Sequence, residues 1–311
     1  MSPATRRSNA DAFLLIPAVL AFAWLVSKAQ WFWNHRSDLQ FGWIVLMLVA
    51  FLLWDGWERR PAVRACFSPG ALMCGAAGII ILFVVQIYQA AFGLMPASLL
   101  GLSVGALLLI CGNLLYVFGR AGPRHFGFAF AFILIALPLP TFIYNPIVGG
   151  LQHKIAALNV TLLNLGGIAA RQSGSLIHLP SGTVGIDEAC SGIRSLQSTI
   201  MATLFIGHIS LSRRSLQILL LILGIGLAVF GNVVRSLFLT TTANSHGIQA
   251  IQGVHDAAGW SILVFTGIGV VSLSYLLAKI EKRVTAVENS LSRSRSEPVP
   301  GQITACSKNP H

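Results

Sequence analysis

Eight apolar runs, each about as long as a bilayer is thick, dominate this chain of 311 residues. A hydrocarbon core of about 30 Å requires roughly 20 apolar residues in each helix that crosses it. Only 10% of the residues are charged, against about 25% in soluble domains. The sequence therefore predicts an all-α membrane protein with about eight transmembrane helices, whose runs lie at 12–29, 41–57, 71–93, 98–119, 125–144, 190–211, 215–240 and 257–279.

The basic residues alternate between the segments that join these runs. Fifteen of the 21 Lys and Arg residues fall in the N-terminal segment, the C-terminal end and every second connecting segment, and six fall on the opposite side. Basic residues concentrate on the cytoplasmic side of membrane proteins, so we expect both termini in the cytoplasm. The formal net charge of +11 then reflects topology, and no nucleic-acid partner is expected.

The longest outer segment covers about 145–189. Apolar residues at helical spacing in 151–170 predict a short helix that lies in the membrane interface. Two β-prone runs flank Pro180-Ser181-Gly182 and predict a small β-hairpin just before the sixth run. We expect residues 1–280 to form one polytopic membrane domain. The segment 281–311 contains Ser, Arg and Pro with little apolar content, which predicts a disordered cytoplasmic tail.

Three polar residues are predicted at one depth, and ionisable residues near membrane spans are functional-site candidates. Arg235 lies 21 residues beyond Arg214, a cytoplasmic marker, and this spacing is about 32 Å along a helix. Cys190 opens the sixth run from the outer side, and His255 immediately precedes the last run on that side. The sequence thus predicts that all three lie at the outer mouth of three consecutive helices.

The surroundings of Cys190 suit a nucleophile. Asp187 is a plausible N-cap that would place Cys190 in the first turn of its helix, where the helix dipole favours a thiolate. Glu188 acts in the opposite direction, and the balance stays open. In this interpretation Cys190 attacks a carbonyl carbon and Arg235 stabilises the oxyanion. His255 protonates the leaving amine and later activates the acceptor.

Two further residues are candidates for a supporting or substrate-binding role, together with Glu188. Asn232 lies three residues before Arg235 on the same helix face, and either orients the guanidinium or packs. Arg194 lies one turn into the span that Cys190 opens. It either binds a substrate carboxylate or phosphate or pairs with Glu188.

Each of these residues also has an ordinary interpretation. A cysteine near a helix end is usually a small apolar filler, and an arginine near the end of a span usually reaches towards the headgroups. A histidine in a loop is usually solvated. Asp256 is expected to cap the last helix rather than to orient His255, because adjacent side chains diverge.

These stretches resemble the exosortase/archaeosortase family of membrane cysteine transpeptidase-proteases. The likeness covers about 90–280, with no departure at the cysteine, arginine and histidine. The stretches that carry it are Glu188-Ala-Cys-Ser-Gly-Ile-Arg-Ser195, Gly231-Asn-Val-Val-Arg-Ser236 and His255-Asp256.

The resemblance implies an enzyme that cleaves peptide bonds at the outer, periplasmic face of the cytoplasmic (inner) membrane. Its substrates would be secreted proteins with a C-terminal sorting tail: a short, PEP-CTERM-like motif, a transmembrane helix and a basic cluster. The roles that carry over are Cys190 as nucleophile, Arg235 as transition-state stabiliser and His255 as acid and base. No metal or organic cofactor is expected.

The competing hypothesis is a multi-pass transporter or a non-catalytic membrane scaffold. A transporter is expected to place ionisable residues near the middle of the membrane. Here the spans carry almost no charge at mid-depth, and the polar residues collect at one mouth. This distribution favours chemistry at the membrane surface over transport.

Overall fold

A computed structural model describes residues 13–185 and 193–296, and for residues 193, 194, 252 and 291–296 it describes the backbone alone. Within these ranges the chain forms nine α-helices and one small sheet. The helices are α1 Ile16–His35, α2 Gly42–Glu58, α3 Pro69–Phe92, α4 Pro96–Phe118, α5 Ala121–Ala131, α6 Thr141–Leu165, α7 Ile193–Ser210, α8 Arg214–His246 and α9 Ala250–Ser296. The strands are β1 Arg171–Ser173, β2 Leu176–Leu179 and β3 Gly182–Gly185.

The all-helical membrane fold is confirmed, and every predicted apolar run overlaps a helix. In the described ranges, five helices are long and apolar enough to cross a membrane, and a bent pair brings the number to six if it counts as one span. The five are Phe13–His35, Pro69–Phe92, Pro96–Phe118, Arg214–His246 and Gly253–Ser290.

The predicted run 125–144 does not form a single straight helix. A 3-10 turn at Phe132–Ala136 follows α5, and α6 begins only at Thr141, with a bend of 73° between the two halves. Pro138 and Pro140 lie in this break because proline lacks an N–H and disfavours helical backbone in the residue before it. The helix expected at 151–170 therefore begins ten residues earlier and ends at Leu165.

The described chain divides into two compact units. One contains α1 to α5 and α6 as far as Thr161, and the other contains α7 from Ser195 together with α8 and α9. In the first unit α3 and α4 approach closely because glycines line their contact. A Cβ at Gly112 would lie 3.0 Å from the carbonyl oxygen of Ala71, so this pair uses the small-residue packing that is common in membranes.

In the second unit α7, α8 and α9 run antiparallel to their neighbours in sequence. A Cβ at Gly224 in α8 would collide with Thr203 in α7, and a Cβ at Gly269 in α9 would collide with Leu227 in α8. These two close approaches define how far each helix is shifted along the next. This register determines which residues of adjacent helices lie side by side.

The small sheet has the order β1-β2-β3. The predicted hairpin is confirmed as β2 and β3, whereas β1 was not expected. Gly182, at the start of β3, has φ +140°, and a Cβ there would collide with Ile248. Ser181 donates a long hydrogen bond of 3.5 Å to Asn244 Oδ1. The hairpin turn thus packs against the C-terminal end of α8.

The predicted disorder from residue 281 is wrong for the first part of that segment, since α9 continues to Ser296. The Arg213 backbone N–H donates to Glu281 Oε1 at 2.7 Å, and the Arg213 side chain pairs with Glu288. A carboxylate that accepts at the start of α8 satisfies an N–H without an intrahelical partner and complements the helix dipole. Residues 297–311 lie outside the described residues.

Candidate active site

Arg235 and His255 meet across the contact between α8 and α9. The Arg235 Nη2 atom lies 3.1 Å from His255 Nε2, although 20 positions separate the two residues. Both residues lie inside helices rather than at their ends, because α8 extends to His246 and α9 begins at Ala250. The expectation that His255 precedes the last helix is therefore wrong, but the expected proximity to Arg235 is present.

The hydrogen bonds of His255 determine which ring nitrogen carries its proton. A guanidinium has only donors, so Nε2 of His255 accepts the hydrogen bond from Arg235 and carries no proton. The proton of the neutral ring then lies on Nδ1, which is 3.1 Å from Asp256 Oδ1. Asp256 is thus a partner of the imidazole rather than a helix cap. Its side chain is 94% exposed, so water competes strongly for this contact.

Asn232 lies one helical turn before Arg235 and is buried, with 2% of its surface exposed. Neither its amide nitrogen nor its amide oxygen has a hydrogen-bond partner among the residues that the structure describes. Of the two predicted roles, orientation of the guanidinium by a hydrogen bond is therefore absent in that part of the chain. A buried amide without partners costs about 1–3 kcal/mol for each unsatisfied group.

Gly259 belongs to the site, although the sequence pattern did not single it out. A Cβ at this position would lie 3.4 Å from Arg235 Nη2, so the missing side chain leaves room for the guanidinium beside α9. The spacing contains a usable signal, because Gly259 lies four residues after His255 on the same helix face. The pattern alone does not distinguish it from the many other glycines in the spans.

Cys190 and Glu188, with the expected N-cap Asp187, lie outside the described residues, and so does the side chain of Arg194. What the structure brings together is the Arg235–His255 pair with Asp256, Gly259 and Asn232 around it. A hydrogen-bonded cation and a neutral imidazole can stabilise an oxyanion and transfer a proton.

Comparison with protein-family models matches residues 33–272, or 240 of the 311 residues, to the family Transmembrane exosortase (Exosortase_EpsH). The match begins earlier than the expected core of 90–280 and contains the positions of Cys190, Arg235 and His255. The chain matches no curated protein and no solved structure. The family match covers more than three quarters of the chain and agrees with its helical membrane fold, so this multi-pass membrane protein belongs to the transmembrane exosortase family.

Proposed function

We propose that this protein is a membrane cysteine peptidase or transpeptidase that removes C-terminal sorting tails from secreted proteins. The observation that carries the proposal is the Arg235–His255 pair at 3.1 Å, which lies about 32 Å along α8 from the cytoplasmic marker Arg214. Membership of the exosortase family supports it. The site then faces the periplasmic side of the cytoplasmic membrane.

Cys190 is the nucleophile in this proposal, and the register of α7 against α8 supports the assignment. Gly224 meets Thr203 across this antiparallel pair. Eight residues before Thr203 in α7 is Ser195, and eight residues after Gly224 in α8 is Asn232. Because the helices are antiparallel, this register brings Ser195 level with Asn232. Cys190 precedes Ser195 by five residues, and Arg235 follows Asn232 by three. The described start of α7 is therefore at the same end of the helix pair as Arg235, and Cys190 is assigned to that end from the sequence alone.

The first chemical step forms a bond between sulfur and carbon. The Cys190 thiol gives its proton to Nε2 of His255, and the sulfur attacks the carbonyl carbon of the scissile peptide. The carbonyl electrons move to oxygen, and the Arg235 guanidinium turns from His255 to donate to this oxyanion. A guanidinium cation next to the developing negative charge stabilises the tetrahedral intermediate.

The second step breaks the carbon–nitrogen bond. The amine leaves with the proton held by His255, and the protein substrate remains as a thioester on Cys190. An acceptor, either water or an amine, then gives a proton to His255 and attacks the thioester. The sulfur leaves and regains the proton, which restores the starting state.

In this proposal the thickness of the membrane sets the position of the substrate relative to the site. A tail with a transmembrane helix and a cytoplasmic basic cluster holds its motif at the outer face, level with the site. The buried Asn232 amide has no hydrogen-bond partner among the described residues, and we assign it to a peptide group of the bound substrate, since a primary amide offers both a donor and an acceptor. Arg194 and Glu188 are assigned to substrate contact on sequence grounds alone.

The alternative is a transporter or a non-catalytic scaffold. Between Arg214 and Arg235 the sequence of α8 contains no charged residue, which disfavours an ion or solute site at mid-depth. The transporter hypothesis has no comparable observation in its favour.

The decisive test replaces Cys190 by Ala and by Ser in the native host. We expect both variants to accumulate membrane-held, unprocessed precursors that keep the motif, helix and basic cluster, at an unchanged level of the enzyme. Cys74→Ala in α3 is the matched control and should process normally. Processing at the normal rate by Cys190→Ala would show that Cys190 is not the nucleophile and would favour the transporter or scaffold hypothesis.

A further inference from the structure

A cavity of about 480 Å³ lies in the first unit, between the loop that precedes α3 and the C-terminal end of α4. We call it the Arg64–Arg120 cavity after the two arginines in its lining. The other residues that matter here are Cys66, Ser68, Gly70 and Tyr116. Nothing in the proposed peptidase reaction uses this cavity, so its role is a separate question.

The loop is tied to the end of α4 by its backbone. The N–H groups of Arg64 and Ala65 both donate to the carbonyl oxygen of Val117, at 2.7 and 3.2 Å. The N–H of Cys66 donates to the carbonyl oxygen of Tyr116 at 3.0 Å. These carbonyls belong to the last turn of a helix, where intrahelical partners are missing. Ala65 has φ +40°, a left-handed conformation that is rare for a residue with a side chain and persists where the surroundings enforce it.

The cavity presents hydrogen-bond donors and positive charge. No carboxylate lines it, and neither guanidinium pairs with one in the part of the chain that the structure describes. Ser68 accepts a hydrogen bond from the N–H of Ala71 and keeps its own O–H as a donor. Gly70 is in the first turn of α3, and its N–H adds a donor at the positive end of that helix.

Two guanidinium groups at one opening match a phosphate, because each guanidinium can donate two parallel hydrogen bonds to it. Both arginines lie in segments that the distribution of basic residues assigns to the cytoplasmic side. Three apolar side chains that are close in sequence to the lining residues are largely exposed: Phe67 in the loop at 76%, and Leu72 and Met73 in the first turns of α3 at 66% and 73%. They provide the apolar surface along which acyl chains would lie.

We propose that the Arg64–Arg120 cavity binds the phosphate of an anionic phospholipid from the cytoplasmic leaflet. The exposed apolar strip favours a lipid over free phosphate, since a soluble anion gains nothing from it. The bound lipid joins the loop, α3 and α4 at their cytoplasmic ends. This inference is independent of the peptidase proposal and survives if that proposal fails.

The test uses the full-length protein in vesicles of phosphatidylcholine, with or without phosphatidylglycerol. Cys66 lines the cavity and is exposed, so its alkylation by a maleimide, followed by peptide mass spectrometry, reports occupancy. We expect phosphatidylglycerol to slow Cys66 alkylation severalfold in the wild type. The double variant Arg64→Gln/Arg120→Gln should lose this protection and bind phosphatidylglycerol about tenfold less tightly or worse.

The matched control is Arg59→Gln/Arg124→Gln, which removes the same charge from neighbouring positions outside the cavity lining and should keep the protection. If both double variants lose it equally, the effect is general surface charge and the proposal is wrong. If phosphatidylglycerol does not slow Cys66 alkylation in the wild-type protein, the proposal is also wrong, and this result does not depend on whether the variants fold. Protection by millimolar inorganic phosphate, but not by phosphatidylglycerol, would identify a soluble anion as the ligand and overturn the assignment to lipid.

Discussion

Arg235 donates to Nε2 of His255 at 3.1 Å across the α8–α9 contact, and the imidazole therefore presents its proton from the opposite nitrogen. The pair places a guanidinium cation beside an imidazole. Asp256, the sequence neighbour of the histidine, lies 3.1 Å from its Nδ1 atom. A cation and a base for the proposed chemistry therefore lie within hydrogen-bond distance of each other.

Replacement of Arg235 by Lys tests the role of the guanidinium. Lysine keeps the charge but lacks the planar fork, so it cannot bond His255 and an oxyanion with the same geometry. We expect processing of a co-expressed tailed substrate to fall about 10²–10³-fold, as for the loss of one oxyanion donor. The enzyme level in membranes, measured by immunoblot, should not change. A processing rate within twofold of wild type would contradict the assigned role.

Replacement of Asn232 by Leu should separate stability from activity. The buried amide has no partner among the described residues, and an apolar side chain of similar shape removes its desolvation cost. We therefore expect an unchanged or higher thermal midpoint in detergent, together with loss of processing because the substrate peptide loses its partner.

Asn113→Leu is the matched control for this variant. The Asn113 amide oxygen also has no partner among the described residues, but its amide nitrogen donates to the carbonyl oxygen of Leu14 at 3.1 Å. Loss of this bond leaves that carbonyl without its donor, so we expect a lower thermal midpoint while the rate per folded molecule stays normal. A lower midpoint for Asn232→Leu, with processing reduced only in proportion, would show that Asn232 has a structural role alone.

Gly259 is predicted to tolerate Ala but not Val. A Cβ at this position reaches ordinary contact distance from Arg235 Nη2, at 3.4 Å, whereas the added methyl groups of Val would push the guanidinium away from His255. We expect near-normal processing for Gly259→Ala and a loss of about tenfold or more for Gly259→Val, since small misplacements of reacting groups are costly.

The control for helix propensity is Gly253→Val in the same helix. A Cβ at Gly253 meets no atom of the described residues within 4 Å, so this variant carries the same backbone change without the contact to Arg235. Equal losses of processing in Gly253→Val and Gly259→Val would attribute the effect to α9 itself rather than to Arg235.

The continuation of α9 beyond residue 281 is predicted to stabilise the start of α8. Glu281→Ala removes the acceptor for the Arg213 N–H, and we expect a loss of about 0.5–2 kcal/mol in the free energy of unfolding, as for other lost caps. Glu288→Ala removes an exposed ion pair and should cost less. Both can be compared by thermal unfolding in detergent, and a larger effect of Glu288→Ala would contradict this account.

The helical membrane fold and the small hairpin follow from local patterns. Long apolar runs must form helices in a bilayer because lipid offers no partner for backbone N–H and C=O groups. The spacing from Arg214 to Arg235 likewise determines depth, since a helix rises by a constant 1.5 Å per residue. These properties depend on nearby residues alone, and the sequence was sufficient for them.

The lateral relationships depended on tertiary contacts. Depth alone does not say whether Arg235 faces His255, and the answer came from the register of α8 against α9, which the close approach of Gly269 to Leu227 imposes. Composition predicted disorder after residue 281, but Glu281 meets the start of α8 across a long sequence separation. The role of Gly259 could not be predicted from the sequence either, because the effect of a missing side chain depends on which atom of another helix occupies the space beside it. Apolar pattern and helical rise are local properties of a chain, whereas which faces of two helices meet is decided by packing between distant residues.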